Sequence, residues 1–185
     1  MKLTKNEKRT LKLLLENSRI SDSEIASKLA ISSVAVGKIR RKLECIIIDS
    51  YTLNLNYAKL GIETFALAIT KLTNEGKKEG QVEIEKKLLQ VPQIINIYRI
   101  PKGSSSHILL YGFKNLPELD KFFHSEKQKQ NLHNFIETQE LFTFSHTSLI
   151  KNNPSELFHF MIDNLKNKIS RVKFNRYDNL QRTLT

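Results

Sequence analysis

The sequence predicts an α+β chain: an N-terminal winged helix-turn-helix, then a ferredoxin-like βαββαβ domain, then an extra C-terminal helix. Three observations carry this. Capped helical segments with a short break between them fill residues 4 to 44, the apolar period changes from 3.6 to 2 near residue 63, and an apolar stripe at helical spacing follows Pro154.

Thr4 with Glu7 has capping-box spacing and opens a helix to about Asn17, with Leu11, Leu14 and Leu15 inward. Ser21 with Glu24 repeats the box, so a second helix starts at Asp22 and runs through Ile25, Ala26 and Leu29. Ala30, Ile31 and Ser32 break it, and Ser32 suits the N-cap of a third helix, Ser33 to Glu44. Ile25, Leu29, Ile31, Val36 and Ile39 then meet inside the angle between the last two helices, with Ala26 small where they approach. If Val36, Ile39 and Leu43 face inward, the helical period turns Val34, Ala35, Lys38, Arg41 and Lys42 outward. Such a face suits a major groove: Ser32 and Ser33 donate to phosphates, Lys38, Arg41 and Lys42 reach bases or backbone, and Val34 or Ala35 packs on thymine methyls. A basic run is more often only a solvated helix face, and its position on the second helix of the motif is what favours DNA.

After Glu44, Cys45-Ile46-Ile47-Ile48 and Tyr51-Thr52-Leu53-Asn54-Leu55 flank Asp49-Ser50, which predicts a small hairpin as the wing. Cys45 reads as a small buried hydrophobe. Residues 64 to 72 alternate as a strand, and Gly76 and Gly80 mark the loop after it. Gln81 to Val91 reads as a helix with Val82, Ile84, Leu88 and Leu89 inward, while Glu83 and Glu85 read as exposed acids. Strands at 94 to 100 and 107 to 114 enclose a turn containing Gly103, Ser104, Ser105 and Ser106. A helix from Leu116 through Phe123 and a last strand from Phe135 to Thr147 complete the βαββαβ order. Phe158, Met161, Ile162, Leu165 and Ile169 predict a C-terminal amphipathic helix that docks on the second domain or on a partner copy. Residues 170 to 185 are polar and basic and either fray or lie along DNA phosphates as an arm.

The 185 residues are 39% hydrophobic and 26% charged, which supports packed domains rather than wholesale disorder. The net charge of +11 divides as +6 over residues 1 to 61, +1 over 62 to 150 and +4 over 151 to 185. The basic ends favour a polyanion partner with salt-dependent binding. The longest aliphatic run is Ile46-Ile47-Ile48, too short for a membrane span, and the N-terminus has no secretory core, so the expected location is cytoplasmic. His107, His124, His133, His146 and His159 are scattered and Cys45 is the only cysteine, so neither a metal site nor a disulfide is expected. There is no phosphate loop, dinucleotide fingerprint or nucleophile elbow, so no cofactor, catalytic residue or enzymatic activity is expected.

The chain resembles the leucine-responsive regulator/AsnC family of prokaryotic transcription regulators over about residues 1 to 148. The likeness runs through residues 11 to 21, Glu24-Ile25-Ala26, Arg41-Lys42-Leu43-Glu44, Tyr51-Thr52, Lys59-Leu60-Gly61, Val91-Pro92-Gln93-Ile94, Tyr98, Gly103 and Leu116-Pro117-Glu118-Leu119-Asp120. It implies duplex DNA and the chain itself as partners, in dimers or further into tetramers or octamers, reading palindromic operators. The implied division is a DNA-binding domain at 1–55, a linker at 56–62, an oligomerisation and effector domain at 63–148, and an extension at 149–185. An amino-acid effector would sit near Gly103. The family usually carries an Asp shortly after that glycine, where this chain has Ser104, Ser105, Ser106 and His107, poorer acceptors for an ammonium group, which weakens the expectation of any small-molecule effector. The family's glycine before the wing is also replaced, by Cys45-Ile46. Two other readings stay open: an architectural DNA-coating protein with little sequence preference, and an interaction module that has lost DNA binding.

Overall fold

Thr4 and Ser21 form the two capping boxes as their spacing predicts, each accepting the amide of the glutamate three residues on. The computed structural model, which describes residues 3–124, 134–151 and 153–165, divides into two compact units, 1–54 with 151–185 and 55–150.

The first unit holds α1 (Lys5–Glu16), α2 (Asp22–Leu29) and α3 (Ser33–Ile46). Ala30 closes α2 in the left-handed region (φ 55°, ψ 47°), which lets α3 leave at a sharp angle. Ser32 caps α3 by accepting the Ala35 amide at 3.2 Å. Leu11, Leu14, Ile20, Ile25, Ala26, Leu29, Val36 and Leu43 are buried together. Ile39 is half-buried against them.

Residues 45–55 form no hairpin, so the expected wing is corrected. Cys45 and Ile46 extend α3, and the amides of Ile47 and Ile48 both donate to the Leu43 carbonyl at 2.9 Å. Ile46, Ile47 and Ile48 pack together on the helical core, which a strand with alternating faces would not allow. Cys45 is exposed, contrary to expectation, because the continued helix turns it away from that core.

The C-terminal helix α7 (Ser155–Asn164) belongs to this unit and packs on α1, a docking site that the sequence did not indicate. Ile162 is buried in the helical core, Lys12 Nζ pairs with Asp163 at 2.6 Å, and Lys8 Nζ donates to the Asp163 carbonyl at 3.1 Å. Ile169 and the basic arm lie outside the described residues.

The second unit is an antiparallel sheet in the order β2-β3-β1-β4, from β1 (Thr64–Leu72), β2 (Ile94–Arg99), β3 (His107–Phe113) and β4 (Ile136–Ser145). This is the ferredoxin-like arrangement that the βαββαβ order predicts. Helices α5 (Gln81–Leu89) and α6 (Leu116–His124) bury Ile84, Leu88 and Leu119 against Ala66, Ala68, Leu109, Tyr111 and Phe113. The other face presents Leu67, Ile69, Tyr98, Ile108, Leu110 and Phe142, as the strand registers require. At its edge Phe65 is closed over by Tyr57 and Phe144.

Two expectations fail here. The segment with Gly76 is a short helix, α4 (Asn74–Glu79), capped by Thr73. A Cβ at Gly76 would stand 2.1 Å from the Phe135 carbonyl oxygen, so close approach, not a loop, demands the glycine. In α5, Val82 is exposed and Glu85 is buried. The helix rotates to bring that carboxylate to Arg99 and His107.

Candidate nucleic-acid interface

The outward surface of α3 is organised by what its other cations are doing. Arg40 points inward: Nε pairs with Asp22 at 2.7 Å and Nη2 donates to the Ile20 carbonyl at 2.7 Å, fixing α3 on the start of α2. Burial opposes the charge of that guanidinium, but Asp22 and Tyr51 outweigh it and its pKa moves up. Lys42 is half-buried and pairs with Glu7 at 2.5 Å, joining α3 to α1. Burial alone would raise the Glu7 carboxyl; the bonds from Lys42 and the Thr4 amide reverse it, and the net shift is downward.

Lys38 and Arg41 are exposed and hold no hydrogen bond or ion pair among the described residues. Beside them Val34 is 69% exposed, an isolated apolar side chain standing clear of the core. Ser32 and Ser33 are exposed at the helix N-terminus and Ala35 is half-buried. The arrangement gives a helix end with two hydroxyls, one apolar projection and two uncommitted cations one turn apart. Lys28, exposed at the end of α2, is a further cation that periodicity did not single out; its place in the last turn of the first helix of the motif was the available signal.

The loop at 103–107 is largely committed to its own sheet. Ser106 donates its amide at 2.7 Å and its hydroxyl at 3.2 Å to the Thr70 carbonyl, and Ser105 donates to Gln139. His107 is fully buried, with Nδ1 3.0 Å from Ser106 Oγ and Nε2 3.4 Å from Glu85 Oε1. Arg99 clasps the Glu85 carboxylate with Nε, at 2.6 Å, and Nη2. Gly103 and Ser104 are left as the exposed part of the loop. Among the described residues, no group of three or more His, Cys, Asp and Glu is placed to hold a metal ion, and no helix is long and apolar enough to cross a membrane.

No family model matches the chain. It is 32% identical over 129 residues to an uncharacterized HTH-type transcriptional regulator of Pyrococcus furiosus, covering 68% of this chain and 82% of that protein. The chain belongs to the HTH-type transcriptional regulators, and its fold is that of the leucine-responsive regulator/AsnC proteins. Among solved structures, LrpC of B. subtilis superposes with a TM-score of 0.65 at 23% identity, over 82% of this chain and 99% of its own. AsnC of E. coli gives 0.64 at 16%, over 82% and 95%. This chain is a DNA-binding transcription regulator.

Proposed function

We propose that this regulator reads its operator through Lys38 and Arg41 of α3, with Ser32 and Ser33 on a phosphate and Val34 and Ala35 against thymine methyls. The observation that carries this is that, among the described residues, Lys38 and Arg41 are unpaired while Arg40 and Lys42 are tied to Asp22 and Glu7. Lys42 in this reading sets the angle of α1 on α3 and adds positive field near the groove. Copies meet through the open sheet face bearing Leu67, Tyr98, Leu110 and Phe142, because a contiguous apolar face is where a partner belongs. A two-fold pair built this way reads a palindrome. The 103–107 loop offers no carboxylate for an ammonium group, so binding proceeds without an amino-acid effector. A DNA partner places the chain in the cytoplasm.

The test is the full chain carrying Lys38→Ala with Arg41→Ala, assayed against DNA fragments selected from random duplex. Each lost base contact costs about 1–3 kcal/mol, so specific binding falls by more than tenfold while the circular dichroism stays unchanged. Retained affinity and specificity would remove α3 from the readout. A selection without a palindromic consensus would favour a DNA-coating role.

A further inference from the structure

Helix α7 is apolar on more of its circumference than α1 covers. Ile162 faces the core, yet more than half of Leu157, Phe160 and Met161 is exposed, and Phe158 is nearly as open. Between α7, α1 and the segment after α3 runs a groove of about 440 Å³, lined by Leu11, Leu15, Ile47, Ile48, Phe158 and Met161. It adjoins the exposed ridge, so one surface carries both a hollow and the apolar side chains that fit such a hollow.

We propose that this surface seats the α7 helix of a second copy, so that two helix-turn-helix units pair directly through their C-terminal helices. The inference rests on the reading that copies meet through the open sheet face. Three observations select the occupant. A hollow beside a ridge is self-complementary, the requirement for an isologous two-fold contact. Two acids of α7 are paired within one copy, Asp163 with Lys12 and Glu156 with Lys151, so α7 itself adds little repulsion, while Asp49 and Ser50 form the polar side of the groove. The area also fits a tethered contact. Four large side chains roughly half exposed offer on the order of 400 Å² per copy, taking about 200 Å² for each whole side chain. Twice that is below the roughly 1,200 Å² of a stable free interface. It suffices once another contact holds the copies together, because tethering raises the effective concentration to the millimolar range. The free surface of α3, with Lys38 and Arg41, is not used.

The test uses the full chain with Cys45→Ser, since Cys45 is exposed and is the only cysteine. Met161→Cys places one thiol on the surface and Ser23→Cys, exposed on α2, places one off it. With a short bismaleimide, Met161→Cys is expected to join two copies and Ser23→Cys to stay at background. Adding Leu157→Glu to Met161→Cys should abolish the joining while light scattering still shows the oligomer. A monomeric parent would overturn the sheet-face reading of assembly. An oligomeric parent whose Met161→Cys is not joined overturns the α7 contact: a freely reactive thiol then means a bare face, and a protected one means a different occupant, such as the chain's own C-terminal residues or an apolar small molecule.

Discussion

Among the described residues each compact unit buries one glutamate, and the two do it differently. Glu7 lies in the first turn of α1, caps its own helix at Thr4 and is neutralised by Lys42, a flexible cation whose side chain is 39% exposed. Glu85 lies on α5, is clasped by both nitrogens of the Arg99 fork and stands beside the buried imidazole of His107. The first site is a local cap extended by one ion pair; the second is an ionic cluster assembled from a helix and two strands. The lesson is that a buried carboxylate held by its own neighbours leaves a sequence signal, and one held by distant residues leaves none.

Arg99→Ala breaks the second site and should have the largest effect. It leaves Glu85 buried without its main counter-charge, at about 3 kcal/mol of unfolding free energy, the low end for such sites because the arginine is one-third exposed. Urea unfolding followed by circular dichroism reads this; an effect under about 1 kcal/mol would mean that His107 takes over the charge.

Acid should separate the units next. Burial pushes the His107 imidazole below its ordinary value of 6.5, Glu85 offsets this only in part, and Arg99 adds to it. The unfolded chain therefore binds the proton first, so this stabilisation is complete above pH 6.5 and is lost as pH falls from there towards the folded value. Glu7 is shifted down, so its contribution is present above its ordinary value of 4.5 and disappears only as pH falls through the lower folded value. Amide protection factors at Ile84 and Leu109, corrected for the intrinsic pH dependence of exchange, should fall on mild acidification while those at Leu14 and Val36 hold. Simultaneous loss in both units would show that they unfold as one.

Lys42→Ala sharpens the comparison by a smaller change. The Glu7 carboxylate keeps its bond from the Thr4 amide, and the removed cation was well solvated, so the loss is about 1 kcal/mol. A cost equal to that of Arg99→Ala would erase the distinction between the two sites. The smallest effect concerns Thr10, fully buried in α1 with a hydroxyl that has no hydrogen-bond partner among the described residues. Thr10→Val keeps the shape and removes an unpaired polar group, so thermal unfolding should show it neutral or stabilised by up to about 1 kcal/mol.

The helical unit was legible because its signals are short-range. Thr4, Ser21 and Ser32 cap helices through residues three positions on, and Ile25, Leu29, Val36 and Leu43 mark the inner face by spacing alone. The outward placement of Val34, Lys38 and Arg41 followed from the same period. The wing was misread because Ile46, Ile47 and Ile48 have equal β and core character, and a run of three gives no period by which to choose. Lys42 was placed on the outward face without sight of Glu7, thirty-five residues earlier.

The order of strands and helices, the antiparallel alternation of β1 and β3 and the family likeness were determined by sequence, since each depends on residues close along the chain or on their order. Tertiary structure alone decided which cations of α3 stay free, that Glu85 is buried with Arg99 and His107, that Gly76 must pass under the Phe135 carbonyl, and that α7 folds back onto α1. These outcomes rest on distances between segments far apart in sequence, and a linear pattern of polarity carries no term for them.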